Sequence, residues 1–194
     1  MKKPTVRVSL FFRMMLVCFF LALYGCGQDT ENRLQEGSTQ DVDTEKRMKE
    51  LGIELHPPLP AVANYVHAVR TGNLVFLAGH GPRKPDGSFI TGKVGRDITL
   101  EEGYKAARLT AINLLASLKA EIGDLNNVKR IVQVHGMVNC VESFTNQPKV
   151  MNGCSDLLVS LFGERGKHAR AAVGMASLPF NIPVEIEMIV EVKE

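Results

Sequence analysis

The stretch His168-Ala-Arg-Ala-Ala-Val-Gly-Met-Ala-Ser-Leu-Pro-Phe-Asn-Ile-Pro-Val-Glu-Ile-Glu187 decides the reading of this 194-residue chain. It places one arginine, Arg170, in a short strand pattern, breaks at a Pro/Asn turn, and resumes as a strand ending at Val192. Successive side chains of a strand point to opposite faces. Val184, Ile186, Met188, Val190 and Val192 therefore share one face, and Glu185, Glu187 and Glu191 the other. A turn centred between Ser177 and Leu178 would make the two strands a hairpin, with Arg170 directly opposite Glu185. Opposed residues share a sheet face with Cβ atoms about 4.5–5.5 Å apart. A planar guanidinium holds a carboxylate through two parallel hydrogen bonds. A glutamate beside it should stay ionised and able to accept a proton from water. The expectation is a site for a small carboxylate-bearing molecule.

Upstream, Asp43-Thr44 followed by Glu45 to Gly52 reads as a short capped helix. Tyr65 to Arg70 and Leu74 to Gly79 read as two strands about a Gly72-Asn73 turn, and residues 83–97 as a loop. Thr99-Leu-Glu-Glu102 is a capping box, and Tyr104, Ala107, Ala111, Leu115, Leu118 and Ile122 follow at helical spacing. Residues 128–139 are rich in β-branched side chains and read as a central strand. A second long helix over about 147–162 carries the stripe Val150, Cys154, Leu157, Leu158 and Leu161, with Gly163 as its cap. The order ββ-α-β-α-ββ predicts an α+β domain over 43–194: one mixed sheet with two helices on one face. The other face would be solvated or would meet partner subunits.

Charge and cysteines narrow the function. The formal charge of +2 hides an asymmetry, since the first 25 residues hold four cations and no acid, leaving the remainder slightly acidic. A near-neutral domain without tryptophan lacks both a basic face and a base-stacking platform, so no nucleic-acid partner is expected. Cys140 and Cys154 fit neither a redox motif nor a zinc set and read as buried free thiols. Five scattered histidines suggest no metal site.

Residues 1–25 combine Lys2, Lys3, Arg7 and Arg13 with an apolar run from Met14 to Tyr24, the parts of a secretory signal. Leu23-Tyr24-Gly25-Cys26 resembles a bacterial lipobox, in which the cysteine is lipidated. Residues 26–42 are polar and aperiodic, as a flexible tether would be. The expectation is an exported lipoprotein held to a bacterial membrane through Cys26, facing the periplasm or the cell exterior.

Ala169-Arg170-Ala171, Ala176-Ser-Leu178-Pro179 and Val184-Glu185-Ile186-Glu187 together resemble the C-terminal signature of the RidA/YjgF family, also named endoribonuclease L-PSP. Ala63-Asn-Tyr65-Val, Gly72 to Gly79 and Val150-Met-Asn152-Gly extend the resemblance across the domain. The helix near 43–51 and the Thr91 to Asp97 loop look like the longer, chorismate-mutase-like branch. The resemblance implies a chorismate-mutase-like fold, a homotrimer with ligand clefts between subunits, and hydrolysis of reactive 2-imino or 2-enamino acids such as 2-aminoacrylate. It implies that Arg170 binds the substrate carboxylate, that Glu185 positions water, and that Tyr65, Gly79 and Asn152 line the cleft. No cofactor is implied, since imines need only orientation and modest base assistance. A non-catalytic binder of small carboxylates is the alternative, and ribonuclease a less favoured one. His168 stands where the family usually has proline, and Ala78-Gly79-His80 where Ser-Gly-Gln is more usual.

Overall fold

The computed structural model describes residues 43–61 and 63–194. The expected signal, tether and Cys26 anchor lie outside the described residues. Helix α1 spans Thr44–Glu50, with Asp43 accepting hydrogen bonds from the Glu45 and Lys46 amides. Strands β1 (Ala68–Thr71) and β2 (Leu74–His80) form the hairpin expected around Gly72, whose φ of 56° suits glycine. Tyr65 precedes β1 rather than lying in it.

Helix α2 (Leu100–Ile122) begins at the capping box as read: Thr99 caps the Glu102 amide and the Glu102 carboxylate returns to the Thr99 amide at 2.7 Å. Its buried face is wider than the predicted stripe, and includes Ala106, Thr110, Leu114 and Ser117. Strand β3 (Val128–Asn139) and helix α3 (Gln147–Phe162) follow, and Gly163 closes α3 at φ 61°. At Gly153 a Cβ would fall onto the Tyr104 carbonyl, so a glycine there is what lets α3 pack closely on α2.

Strands β4 (Ala169–Met175) and β5 (Val184–Val192) complete a five-stranded sheet in the order β1-β2-β5-β3-β4. Both long helices cover one face, as the sequence predicts; α3 and α2 pack against buried Val134, Val138, Ile186 and Met188. The β4–β5 hairpin is overturned. β3 lies between them, parallel to β4 and antiparallel to β5, so no register pairs Arg170 with Glu185. The reason is the connection: Pro179–Asn181 forms a 3-10 turn, with Phe180 and Asn181 at positive φ, that carries the chain over to the far side of β3. A two-residue loop would have forced pairing; this eight-residue one does not.

The helix-free face of the sheet carries apolar side chains in the open. Val69, Phe76 and Val173 are all exposed there, next to Glu187 and His135.

Candidate functional site

Two clusters of polar side chains stand apart on the sheet, one at β2 and β5 and one at the β4 edge. The first is built at an irregularity in β2. Leu77 pairs with Met188 and His80 with Ile186, so three steps on β2 match two on β5. The extra residue is a β-bulge at Ala78-Gly79. It returns His80 to the helix side, where simple alternation from Leu77 would have sent it outward.

Gly79 gives Glu185 its place. A Cβ on Gly79 would land on the Glu185 Oε1 atom, so the carboxylate occupies the space that any other residue would fill. Burial and then the neighbouring Glu187 push the Glu185 carboxyl above its ordinary range. That corrects the expectation of a carboxylate held ionised by Arg170. Glu187 in turn contacts His135 Nδ1 at 3.3 Å.

A cavity of about 1080 Å³ opens beside this carboxylate, and Tyr65, His67, Gly79, His80, Ser117 and Glu185 all line it. His80 is 9% exposed, and its Nδ1 lies 2.7 Å from the Ala78 carbonyl. A carbonyl can only accept, so Nδ1 carries the proton and Nε2 accepts from Ser117 Oγ at 2.8 Å. Burial lowers the His80 pKa and favours this neutral ring. His67 bridges outward, with its centroid 5.2 Å from His80 and 6.0 Å from the Tyr65 ring.

The second cluster is centred on Arg170, which lies exposed on the edge strand β4. Its Nη1 donates to Asn152 Oδ1 and to Ser155 Oγ, both at 2.9 Å. Neither bond uses Nη2 or Nε, which leaves that edge of the guanidinium to grip a carboxylate. Ser155 Oγ lies 3.0 Å from His168 Nε2, and His168 Nδ1 lies 2.6 Å from the Gly166 carbonyl. The same donor logic orders the chain: Nδ1 donates to Gly166, Ser155 donates to Nε2, and Ser155 accepts from Arg170. Burial, then the nearby Arg170 charge, lower the His168 pKa and keep the ring neutral. Cys154 beneath is buried, with its thiol pushed up to about 12 by desolvation.

The structure thus joins Arg170 to Asn152, and Glu185 to Gly79 and Tyr65, but does not join the two sets within one copy of the chain. Three contributors escaped sequence reading. Ser155 had a signal, standing three residues after Asn152 and so on the same helical face. Ser117 interrupts an apolar stripe, which marks it only as a buried hydroxyl. His67 gave none. Among the described residues no group of histidines, cysteines and carboxylates could hold a metal ion.

The family described as YjgF/chorismate mutase-like, which also carries an endoribonuclease name, matches residues 45–192. The chain belongs to the YjgF/RidA family. Protein TCP17 of Trypanosoma cruzi is 42% identical over 145 residues, covering 74% of this chain and 91% of its own. The crystal structure of Atu1372 from Agrobacterium tumefaciens, a protein of unknown function, is 45% identical. It covers 78% of this chain and 94% of its own, with a TM-score of 0.72. RidA from the Antarctic bacterium Psychrobacter sp. PAMC 21119 is 26% identical, covers 72% and 98%, and has a TM-score of 0.52. The two solved structures share the fold of this YjgF/RidA chain, a sheet with helices on one face, as the sequence predicts.

Proposed function

We propose that this chain hydrolyses reactive 2-imino and 2-enamino acids of the 2-aminoacrylate type to 2-keto acids and ammonia. The carrying observation is the division of the site. Arg170 with Asn152 presents a carboxylate grip at the β4 edge, and Glu185 with Gly79 and Tyr65 presents a carboxylate in a cavity beside β2 and β5. Two such half-sites form a whole one where a second copy sets its Arg170 edge against the Glu185 cavity. The exposed apolar residues Val69, Phe76 and Val173 on the helix-free face support such an assembly, and a closed homotrimer would complete three clefts.

In such a cleft Arg170 holds the substrate carboxylate and Glu185 orients a water over C2. As the water oxygen bonds to C2, Glu185 takes its proton, and the C=N electrons return to nitrogen. Glu185 passes that proton to the nitrogen. As the C–N bond of the carbinolamine breaks, the hydroxyl proton follows by the same carboxylate, so that C=O forms and ammonia leaves the 2-keto acid. A 2-enamino acid first takes a proton at C3 to become the imine. A carboxyl whose pKa stands above the ordinary glutamate range is closer to the optimum for this shuttle, which favours catalysis over mere carboxylate binding. RidA from Psychrobacter shares the fold and family and is consistent with this chemistry.

The test is ammonia release from freshly generated 2-aminoacrylate with the full-length protein. Acceleration that disappears in Glu185→Ala, while 2-keto acid binding persists, supports the reading. Binding without acceleration in the unaltered protein would leave the non-catalytic binder. We also propose that Cys26 is lipidated and holds the domain to a bacterial membrane outside the cytoplasm. Membrane fractionation of the protein beside a Cys26→Ser variant tests this.

A further inference from the structure

The cavity beside Glu185 is far larger than a three-carbon substrate needs. Such a molecule occupies on the order of 100 Å³, whereas the cavity measures about 1080 Å³, the size of sites that enclose much larger ligands. Its lining includes a set of apolar side chains: Leu59, Pro60, Phe89, Ile112, Ala116 and Phe180. Arg83, Lys84 and Asn113 line it as well, so these side chains form an apolar patch within a mixed wall, as suits a ligand with a polar head and an apolar side chain.

Phe180 is held there at a cost. It adopts φ 55° and ψ 17°, a left-handed conformation that bulky residues rarely take, and Asn181 follows at φ 55°. Strain of this kind persists where surrounding structure enforces it, and it clusters at ligand sites. The ring is also 64% exposed, so it is not strained in order to fill the core. Its face is ordered instead against Phe89, with ring centroids 5.6 Å apart and planes 6° from parallel. The Arg83 guanidinium lies 5.4 Å from the Phe89 ring and helps to hold it. The result is an aromatic shelf at the cavity wall with one broad face still in solvent.

We propose that the cavity running from Glu185 to the Phe89–Phe180 pair selects 2-imino acids with large apolar side chains, aromatic ones above all. This rests on the proposed deaminase reading of the Glu185 site. The side chain of the ligand lies among Ile112, Ala116 and the two phenylalanines, while its carboxylate and C2 stay at the Arg170 and Glu185 end. An aromatic ring gains both buried area and an offset stack there, which a methyl group cannot.

The experiment uses two 2-keto acid products as probes, phenylpyruvate and pyruvate, titrated calorimetrically into the full-length protein. Turnover of 2-imino acids generated from phenylalanine and alanine is measured in parallel. Phenylpyruvate should bind at least about tenfold more tightly, the discrimination an apolar pocket supplies, and turnover should favour the aromatic imine by a similar ratio. Phe180→Ala, an exposed site whose change should not unfold the protein, and Ile112→Trp, which fills the cavity, should each bring that ratio close to one. Equal affinity for the two probes overturns the proposal, as does binding of neither. A preference that survives both substitutions overturns it too, and places the discrimination outside this cavity. Aromatic preference in binding with no turnover of any imine would leave this pocket standing and sink the deaminase reading. Turnover of the alanine-derived imine without aromatic preference would do the reverse.

Discussion

Arg170 and Glu185 stand on opposite faces of the sheet, on strands separated by β3. Arg170 pairs with Val134 and Glu185 with Met137, and three residues along an unbroken stretch of strand reverse the direction of the side chain. Arg170 accordingly meets α3 through Asn152 and Ser155, whereas Glu185 leans against Gly79 on the other side. Two residues that a hairpin would have made immediate neighbours are held apart in one copy of the chain, and under the proposed function they meet one ligand from different copies.

Complementation between inactive variants follows from this. Arg170→Met and Glu185→Gln should each abolish turnover when assembled alone. Dissociated, mixed and reassembled, they form rings in which one cleft in three of each hybrid is intact, so about a quarter of normal activity returns in a closed trimer. Steady-state ammonia release before and after mixing checks it. No recovery from verified hybrids would place both residues in the same cleft of one chain, or one of them outside it.

Gly79→Ala tests the close approach beneath the carboxylate. The new Cβ takes the position of Glu185 Oε1 and swings the carboxylate away from its place in the cavity. Turnover should fall about 100-fold, the scale of a misplaced catalytic group, with the protein still folded because the displaced atom ends a flexible side chain. Kinetics alongside circular dichroism would show a folded but inactive protein; full activity would contradict the placement of Glu185.

Acid should inactivate the protein at a higher pH than an ordinary glutamate would dictate. Glu185 must be ionised to accept a proton, and burial together with Glu187 raises its pKa. The acid limb of kcat/KM therefore lies above the usual glutamate range, and Glu187→Gln should move it to lower pH. Stability carries the opposite sign. A carboxyl raised in the folded state contributes fully below its unfolded pKa, and that contribution is lost as pH rises through the folded value. Glu185→Gln should thus melt about 1–3 °C higher at neutral pH, in exchange for activity. An unshifted acid limb in Glu187→Gln, or a lower melting temperature in Glu185→Gln, would count against this.

His168 acts at one remove, as a positioning residue for Arg170. Removing it in His168→Ala frees the Ser155 hydroxyl to turn, and Arg170 loses a fixed acceptor. One hydrogen bond of this kind corresponds to about a three- to tenfold rise in KM, with kcat little changed. His168→Gln, whose amide oxygen can accept from Ser155, should restore much of the loss. An equal fall of kcat in both variants would mean a general structural role instead.

Much of the fold was legible because its signals are local. The capping box at Thr99, the strand alternation from Val184 to Val192 and the glycine after Phe162 act over a few residues, and each element formed where those residues place it. The bulge at Ala78-Gly79 was not legible, since it depends on how β2 meets β5 rather than on either strand alone. The same holds for the His80–Ser117 bond, whose partners lie 37 residues apart, and for the stack of Phe89 on Phe180.

The sequence by itself determined the kinds of element, their order, the apolar face of each, and a family signature that names Arg170, Glu185, Tyr65, Gly79 and Asn152 as a set. Only tertiary structure decided which of them meet. Alternation says which residues share a face within a strand, but strand order is a choice among sheet-wide packings that no short stretch encodes. Here β3 lies between β4 and β5, an interior place next to the β4 edge where its Val128–Asn139 run buries Val128, Ile131, Val134 and Val138, while β5 takes the centre of the sheet. That one insertion sets Arg170 and Glu185 on opposite faces of the sheet instead of side by side in a hairpin.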